Sequence, residues 1–248
     1  MNQGQRTESA SRARARRVLI LVFAIIISAT GSFAQDEPGT IDKSLVPKEG
    51  TEIGKFAPAG WKIEQQVSGD LNGDGLPDYA LTLVEAKPDK NSEGDPTDRG
   101  RALVIVLARD GKFGRAGVAD KLLQCTRCGG AFYGVVETPV EVTIEKGVVV
   151  VQQDHGSRNL TNTTYRFRHD PAGKQFVLIG FDYADADRAT GKVVSESTNY
   201  STGVRVTTRD RGKRAVKTRR VIPKTKTSFD SVDSEKVEEA AAKRLGLY

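Results

Sequence analysis

Between Trp61 and Val67 polar and apolar residues alternate, placing Ile63, Gln65 and Val67 on one face. A period of two is the mark of a half-buried strand. After a polar interruption the alternation returns in "DYALTLVEA", with Tyr79, Leu81 and Leu83 in step. These two segments predict a hairpin. Residues 102–108, "ALVIVLA", are apolar without a break, which predicts a strand buried on both faces. Asp110-Gly111 and Lys146-Gly147 are hairpin-turn pairs, the second dividing "VEVTIEKGVVVVQQ" into two strands. "TTYRFRHDPAGKQFVLIGFDY" predicts a further hairpin, turning at Asp170-Pro171-Ala172-Gly173, and residues 191–210 predict another pair. β-Branched residues fill these runs, favouring strand over helix. The tail differs. "SEKVEEAAAKRLGL" has Ser234 as a capping residue, early glutamates, and late Lys243 and Arg244, the charge order that a helix dipole favours. The expected fold is all-β, a mainly antiparallel meander, sandwich or partial-propeller-like arrangement, with a short C-terminal helix. Residues 59–229 form the expected β domain and 230–248 the helix. Residues 35–58, rich in Pro, Gly, Lys and Glu without periodicity, are expected to be a linker.

The N-terminus changes the meaning of the net charge. Arg12, Arg14, Arg16 and Arg17 precede an apolar run from Val18 to Ile27, and Ser32 and Ala34 flank Phe33. This is the layout of a secretory signal peptide over residues 1–34, with cleavage expected after Ala34. The apolar run is short for a spanning helix, so no integral membrane span is expected after cleavage. No cysteine lies at the cleavage point to carry a lipid. The chain is expected to be periplasmic or secreted. Removing the leader takes away five arginines and Glu8, so 38 basic and 32 acidic residues fall to 33 and 31. The formal charge of +6 drops to +2. Residues 205–226 alone hold ten Lys or Arg against Asp210. An otherwise acidic body therefore carries one basic ribbon, a surface for a polyanion or an edge hairpin whose cations deter sheet-to-sheet pairing.

The loop "SGDLNGDGLPDYALTL" carries Asp70, Asn72, Asp74 and Asp78, with Gly73 and Gly75 among them. Counting from Asp70, oxygen side chains stand at the first, third, fifth and ninth places, and the Leu76 carbonyl is available at the seventh. Such an oxygen-only set suits Ca²⁺ better than Mg²⁺ or zinc. An EF-hand does not fit, because the twelfth place is Leu81 and the flanks are strands. The alternative is a tight hairpin turn held by Asx bonds without metal. The pattern D-x-N-x-D-G-x-x-D between strands resembles the calcium-loop repeat of the FG-GAP/VCBS type. With "CTRCGG", "TYRFR" and "NYSTG" following in order, the chain is similar to single-repeat exported bacterial proteins of unknown function. The resemblance implies Ca²⁺ in a β-hairpin loop, with Asp70, Asn72, Asp74, the Leu76 carbonyl and Asp78 as ligands.

Cys125 and Cys128 are three positions apart. In an oxidising compartment a disulfide is expected; a redox-active pair, or half a zinc site shared with His155 or His169, are the alternatives. His155 and His169 lie near Asp154 and Ser157 in sequence, but no nucleophile elbow accompanies them. No catalytic residues are expected. The expected function is an exported calcium-binding β domain, a non-enzymatic module for an unknown macromolecule or glycan. The alternatives are a thiol–disulfide redox protein using Cys125 and Cys128, and a structural envelope component.

Overall fold

A computed structural model describes residues 37–247, except Val135 and residues 211–213. The expected signal peptide lies outside the described residues. The all-β expectation holds: two antiparallel sheets and one short C-terminal helix make up the fold, and neither sheet closes into a barrel among the described residues.

The first sheet has the order β1-β5-β4-β3-β2. Its members are β1 (Glu49–Gly50), β2 (Trp61–Gly69), β3 (Asp78–Glu85), β4 (Arg101–Arg109) and β5 (Lys112–Ala119). The second runs β12-β11-β10-β9-β8-β7-β6. It comprises β6 (Val140–Glu145), β7 (Val148–Gly156), β8 (Asn159–Asp170), β9 (Gln175–Asp187), β10 (Lys192–Asn199), β11 (Val204–Asp210) and β12 (Ala215–Val221). A short β13 (Thr227–Ser228) joins β9 beside Val177 and Leu178. The helix α1 spans Ser234–Leu245.

Turn chemistry acts where the sequence places it. Asp110-Gly111 closes β4 onto β5 with Arg109 opposite Lys112, and Lys146-Gly147 closes β6 onto β7 with Glu145 opposite Val148. All four turn residues have positive φ, as a two-residue hairpin turn of this hand requires.

Strand β4 is buried on both faces, as its unbroken apolar run predicts. Leu103 and Ile105 join the core shared with Val151, Tyr165, Phe167 and Phe181 of the second sheet. Ala102, Val104 and Val106 face the opposite way, onto Ile41, Val46 and Phe56. Residues 37–58 are therefore not a bare linker. They cover the outer face of the first sheet, and Arg115 fastens them by donating to the carbonyls of Lys43 and Val46. The segment lacks a strand or helix period because, apart from the two-residue pairing of β1 with β5, it meets the sheet through isolated side chains. Gly39 lies so close to Gly100 that a Cβ on Gly100 would stand 1.8 Å from the Gly39 carbonyl oxygen.

Two local expectations are corrected. Ile63 and Val67 do not share a face: a bulge between Ile63 and Gln65 shifts the register, so Ile63 packs with the outer cluster and Val67 with the inner one. An extra residue in one strand reverses the facing of everything beyond it. The helix cap is Asp233, whose side chain accepts from the Lys236 N–H, while Ser234 is already helical. Ser234 instead donates its hydroxyl to the Lys121 carbonyl. Gly246 ends the helix in the left-handed conformation, at φ 70°.

Candidate functional site

The acidic loop joins β2 to β3 as expected, with Gly69 opposite Asp78. It is built around Asp70. One carboxylate oxygen accepts the N–H groups of Asn72 at 3.2 Å and Gly73 at 2.7 Å, and the other accepts that of Gly75 at 3.0 Å. Asn72 Oδ1 accepts from the Asp74 N–H at 2.9 Å, and Asp74 Oδ1 from the Leu76 N–H at 2.8 Å. The backbone thus bends three times through Asx bonds. Gly73 and Gly75 supply the positive φ values, +86° and +81°.

The expected ligands separate into two groups. Asp70, Asn72 and Asp74 come together on the exposed turn, and Asn72 Nδ2 donates to Asp74 Oδ2 at 2.9 Å. Leu76 sits exposed at the crest. Asp78 lies beneath, fully buried, and both its oxygens are engaged: Oδ2 by the Leu71 N–H at 2.9 Å and Oδ1 by the Ala108 N–H at 2.8 Å. It braces the loop onto β4.

Electrostatics follow this division. Backbone N–H groups of Gly73 and Gly75 lower the Asp70 pKa. Burial raises that of Asp78; the charges of Asp74 and Asp70 push the same way, while its two backbone bonds oppose them. The donor set fits a hard cation in chemistry, being all oxygen; Asp70 Oδ2, Asn72 Oδ1 and both Asp74 oxygens each accept one of the bonds described and keep a second lone pair, whereas Asp70 Oδ1 already accepts two. Among the described residues no three His, Cys, Asp or Glu side chains form a group that could hold a metal ion. The fit therefore rests on Asp70, Asn72 and Asp74, with Asp78 in a bracing position.

Cys125 and Cys128 form a disulfide. Cys125 is buried and Cys128 exposed. The surrounding segment is tied down on several sides. Thr126 donates its N–H to the Arg99 carbonyl and accepts on its own carbonyl from the Thr138 N–H. Gly129 donates to Thr138 Oγ1 at 2.8 Å. With both sulfurs joined, they are not free to share a zinc ion with His155 or His169.

His155 and His169 do not meet Ser157 or Asp154 in a catalytic arrangement. His155 Nε2 pairs with Glu238 Oε2 of α1 at 2.7 Å, and Glu238 Oε1 accepts from the Tyr165 hydroxyl at 2.7 Å. His169 lies against the Phe176 ring, at 5.3 Å between centroids. Sequence reading misses the Glu238 link because 83 positions separate the partners.

The basic ribbon is an edge hairpin. β12 is the outermost strand of the second sheet, and all seven of its residues are exposed, including Lys217, Arg219 and Arg220. No helix among the described residues is long and apolar enough to cross a membrane. Comparison with family models, curated proteins and solved structures finds no match to this chain.

Proposed function

We propose that this chain is an exported, non-enzymatic β domain whose β2–β3 loop holds Ca²⁺ and which binds another macromolecule or a glycan. The observation that carries the calcium reading is the gathering of Asp70, Asn72 and Asp74 on the exposed turn, where Asn72 Nδ2 donates to Asp74 Oδ2; the charges of Asp74 and Asp70 also push the pKa of buried Asp78 up. Carboxylates a few Å apart repel by roughly a few kcal/mol at an effective dielectric near 20. A bound divalent cation would remove that repulsion, and Asp70, Asn72 and Asp74 are the side chains that would hold it. The spacing also resembles the FG-GAP/VCBS calcium loop. Isothermal titration with calcium chloride tests the reading. Heat of binding that disappears in Asp74→Ala supports it; no heat with the unaltered chain overturns it.

The partner surface we assign is the β11–β12 hairpin, whose cations stand on an exposed edge. Retention on heparin should then fall steeply with salt and on neutralising Arg219 and Arg220. Elution at low salt would remove this surface from the proposal.

A second reading, thiol–disulfide exchange, draws on one feature: Cys128 is exposed beside its buried partner Cys125. An exposed sulfur can be attacked by an external thiolate. An insulin-reduction assay separates this reading from the first.

A further inference from the structure

The inner face of the second sheet turns from apolar to polar towards one end. Val151, Tyr165 and Phe181 stand opposite one another in the core. Further along the same three strands His155, Thr161 and Asp185 form a row, each opposite the next. Helix α1 lies over this row, and Glu238 reaches from it to His155 and Tyr165. A cleft of about 250 Å³ remains between them, lined also by Asn159 and Tyr183.

Two largely buried side chains line this cleft, each with an oxygen that opens into it and has no partner among the described residues. Asp185 is 8% exposed. Its Oδ1 accepts from Asn159 Nδ2 at 2.7 Å, and its Oδ2 has no hydrogen-bond or ion-pair partner among the described residues. Thr161 is 6% exposed, and its hydroxyl likewise has no partner among the described residues. Buried polar groups are normally hydrogen-bonded and buried charges paired. Here a largely buried carboxylate is bonded to a neutral amide only, and its second oxygen opens into the cleft. His155, the one basic side chain among the described residues lining the cleft, is already engaged by Glu238.

We propose that this cleft binds a small organic cation, the ammonium or guanidinium end of an amine. Asp185 Oδ2 is its counter-ion, Thr161 Oγ1 accepts a second hydrogen bond, and the Tyr183 ring forms a wall suited to a cation. An anion is disfavoured by Asp185 and Glu238. A calcium ion would want six or more oxygens, which this row does not supply. The volume lies below the range of about 300–1,000 Å³ typical of larger ligands, so a head group of few atoms fits and a whole sugar or peptide does not. The site is separate from the acidic loop and does not depend on calcium there.

The test is titration of the full chain with methylguanidinium chloride and butylammonium chloride, at constant calcium and ionic strength, followed by calorimetry and backbone amide NMR. Saturable one-to-one binding is expected, with amide shifts at Thr161 and Asp185. Asp185→Asn should weaken it at least tenfold and Thr161→Val severalfold, while Asp74→Ala should bind as the unaltered chain does. Absence of saturable binding, equal affinity in Asp185→Asn, or shifts confined to other regions would overturn the proposal. If Asp185→Asn does not fold, Thr161→Val and the amide map of the unaltered chain decide it.

Discussion

Arg101 meets Glu64 as a two-point pair: Nε donates to Oε2 at 2.7 Å and Nη2 to Oε1 at 2.6 Å. The remaining nitrogen, Nη1, donates to the Thr138 carbonyl at 2.9 Å and the Cys125 carbonyl at 3.4 Å. Glu64 lies at the bulge of β2, between Ile63 and Gln65. One buried guanidinium thus ties the bulge, the cysteine segment and the lead into β6. Arg101→Met should destabilise the fold by about 2–4 kcal/mol, because a carboxylate and two carbonyls lose their donor. Urea denaturation measures this, and Glu64→Gln should cost less.

Asp78 and Asp74 should behave differently on substitution. Asp78→Ala leaves the Leu71 and Ala108 N–H groups without their acceptor and should cost about 1–3 kcal/mol with or without calcium. Asp74→Ala removes an exposed side chain and should change little in chelator. In calcium at about 100 times its dissociation constant, the unaltered chain should gain about 2.7 kcal/mol that Asp74→Ala lacks. Thermal melts in calcium and in chelator distinguish the two variants.

The His155–Glu238 pair should make stability fall as pH rises above 6.5. The Glu238 hydrogen bond raises the His155 pKa above 6.5, with burial opposing. Below 6.5 the folded and unfolded chains both hold the proton, and the contribution is complete. Between 6.5 and the raised folded value only the folded state retains it, so stability declines through that window. A melting-temperature profile should show this slope, and Glu238→Gln should flatten it.

The Cys125–Cys128 disulfide closes a very small loop. The chain-entropy estimate for such a loop gives about 2 kcal/mol on its loss. Cys125→Ser with Cys128→Ser should lower stability by about that amount. Non-reducing mass spectrometry should find the unaltered chain lighter by two hydrogens than its reduced form.

Asp233 caps α1, and Asp233→Ala should cost about 1 kcal/mol. Ser234→Ala tests the other candidate and acts through the Lys121 carbonyl, not through the helix end. Chemical denaturation of both variants separates the two roles.

Much of the fold is legible because its signals are local. The period-two runs place the β2–β3 and β8–β9 hairpins, and the apolar run of β4 announces burial on both faces. Asp110-Gly111 and Lys146-Gly147 mark their turns because few other residues accept positive φ. The turn of the acidic loop is equally local, since the Asx bonds of Asp70, Asn72 and Asp74 reach only two to five positions along the chain.

What the tertiary structure alone decides is where charged and polar groups find partners far away in sequence. Glu64 at the bulge pairs with Arg101, 37 positions distant. Residues 37–58 show no period because the surface they cover belongs to β3 and β4. Asp78 sits in the ligand pattern but faces inward, where the Ala108 N–H 30 positions away engages it. The row of His155, Thr161 and Asp185 exists only once three strands are in register beneath α1. Local chemistry writes turns and strand faces into the chain directly; burial of a charge depends on what the folded chain brings to it.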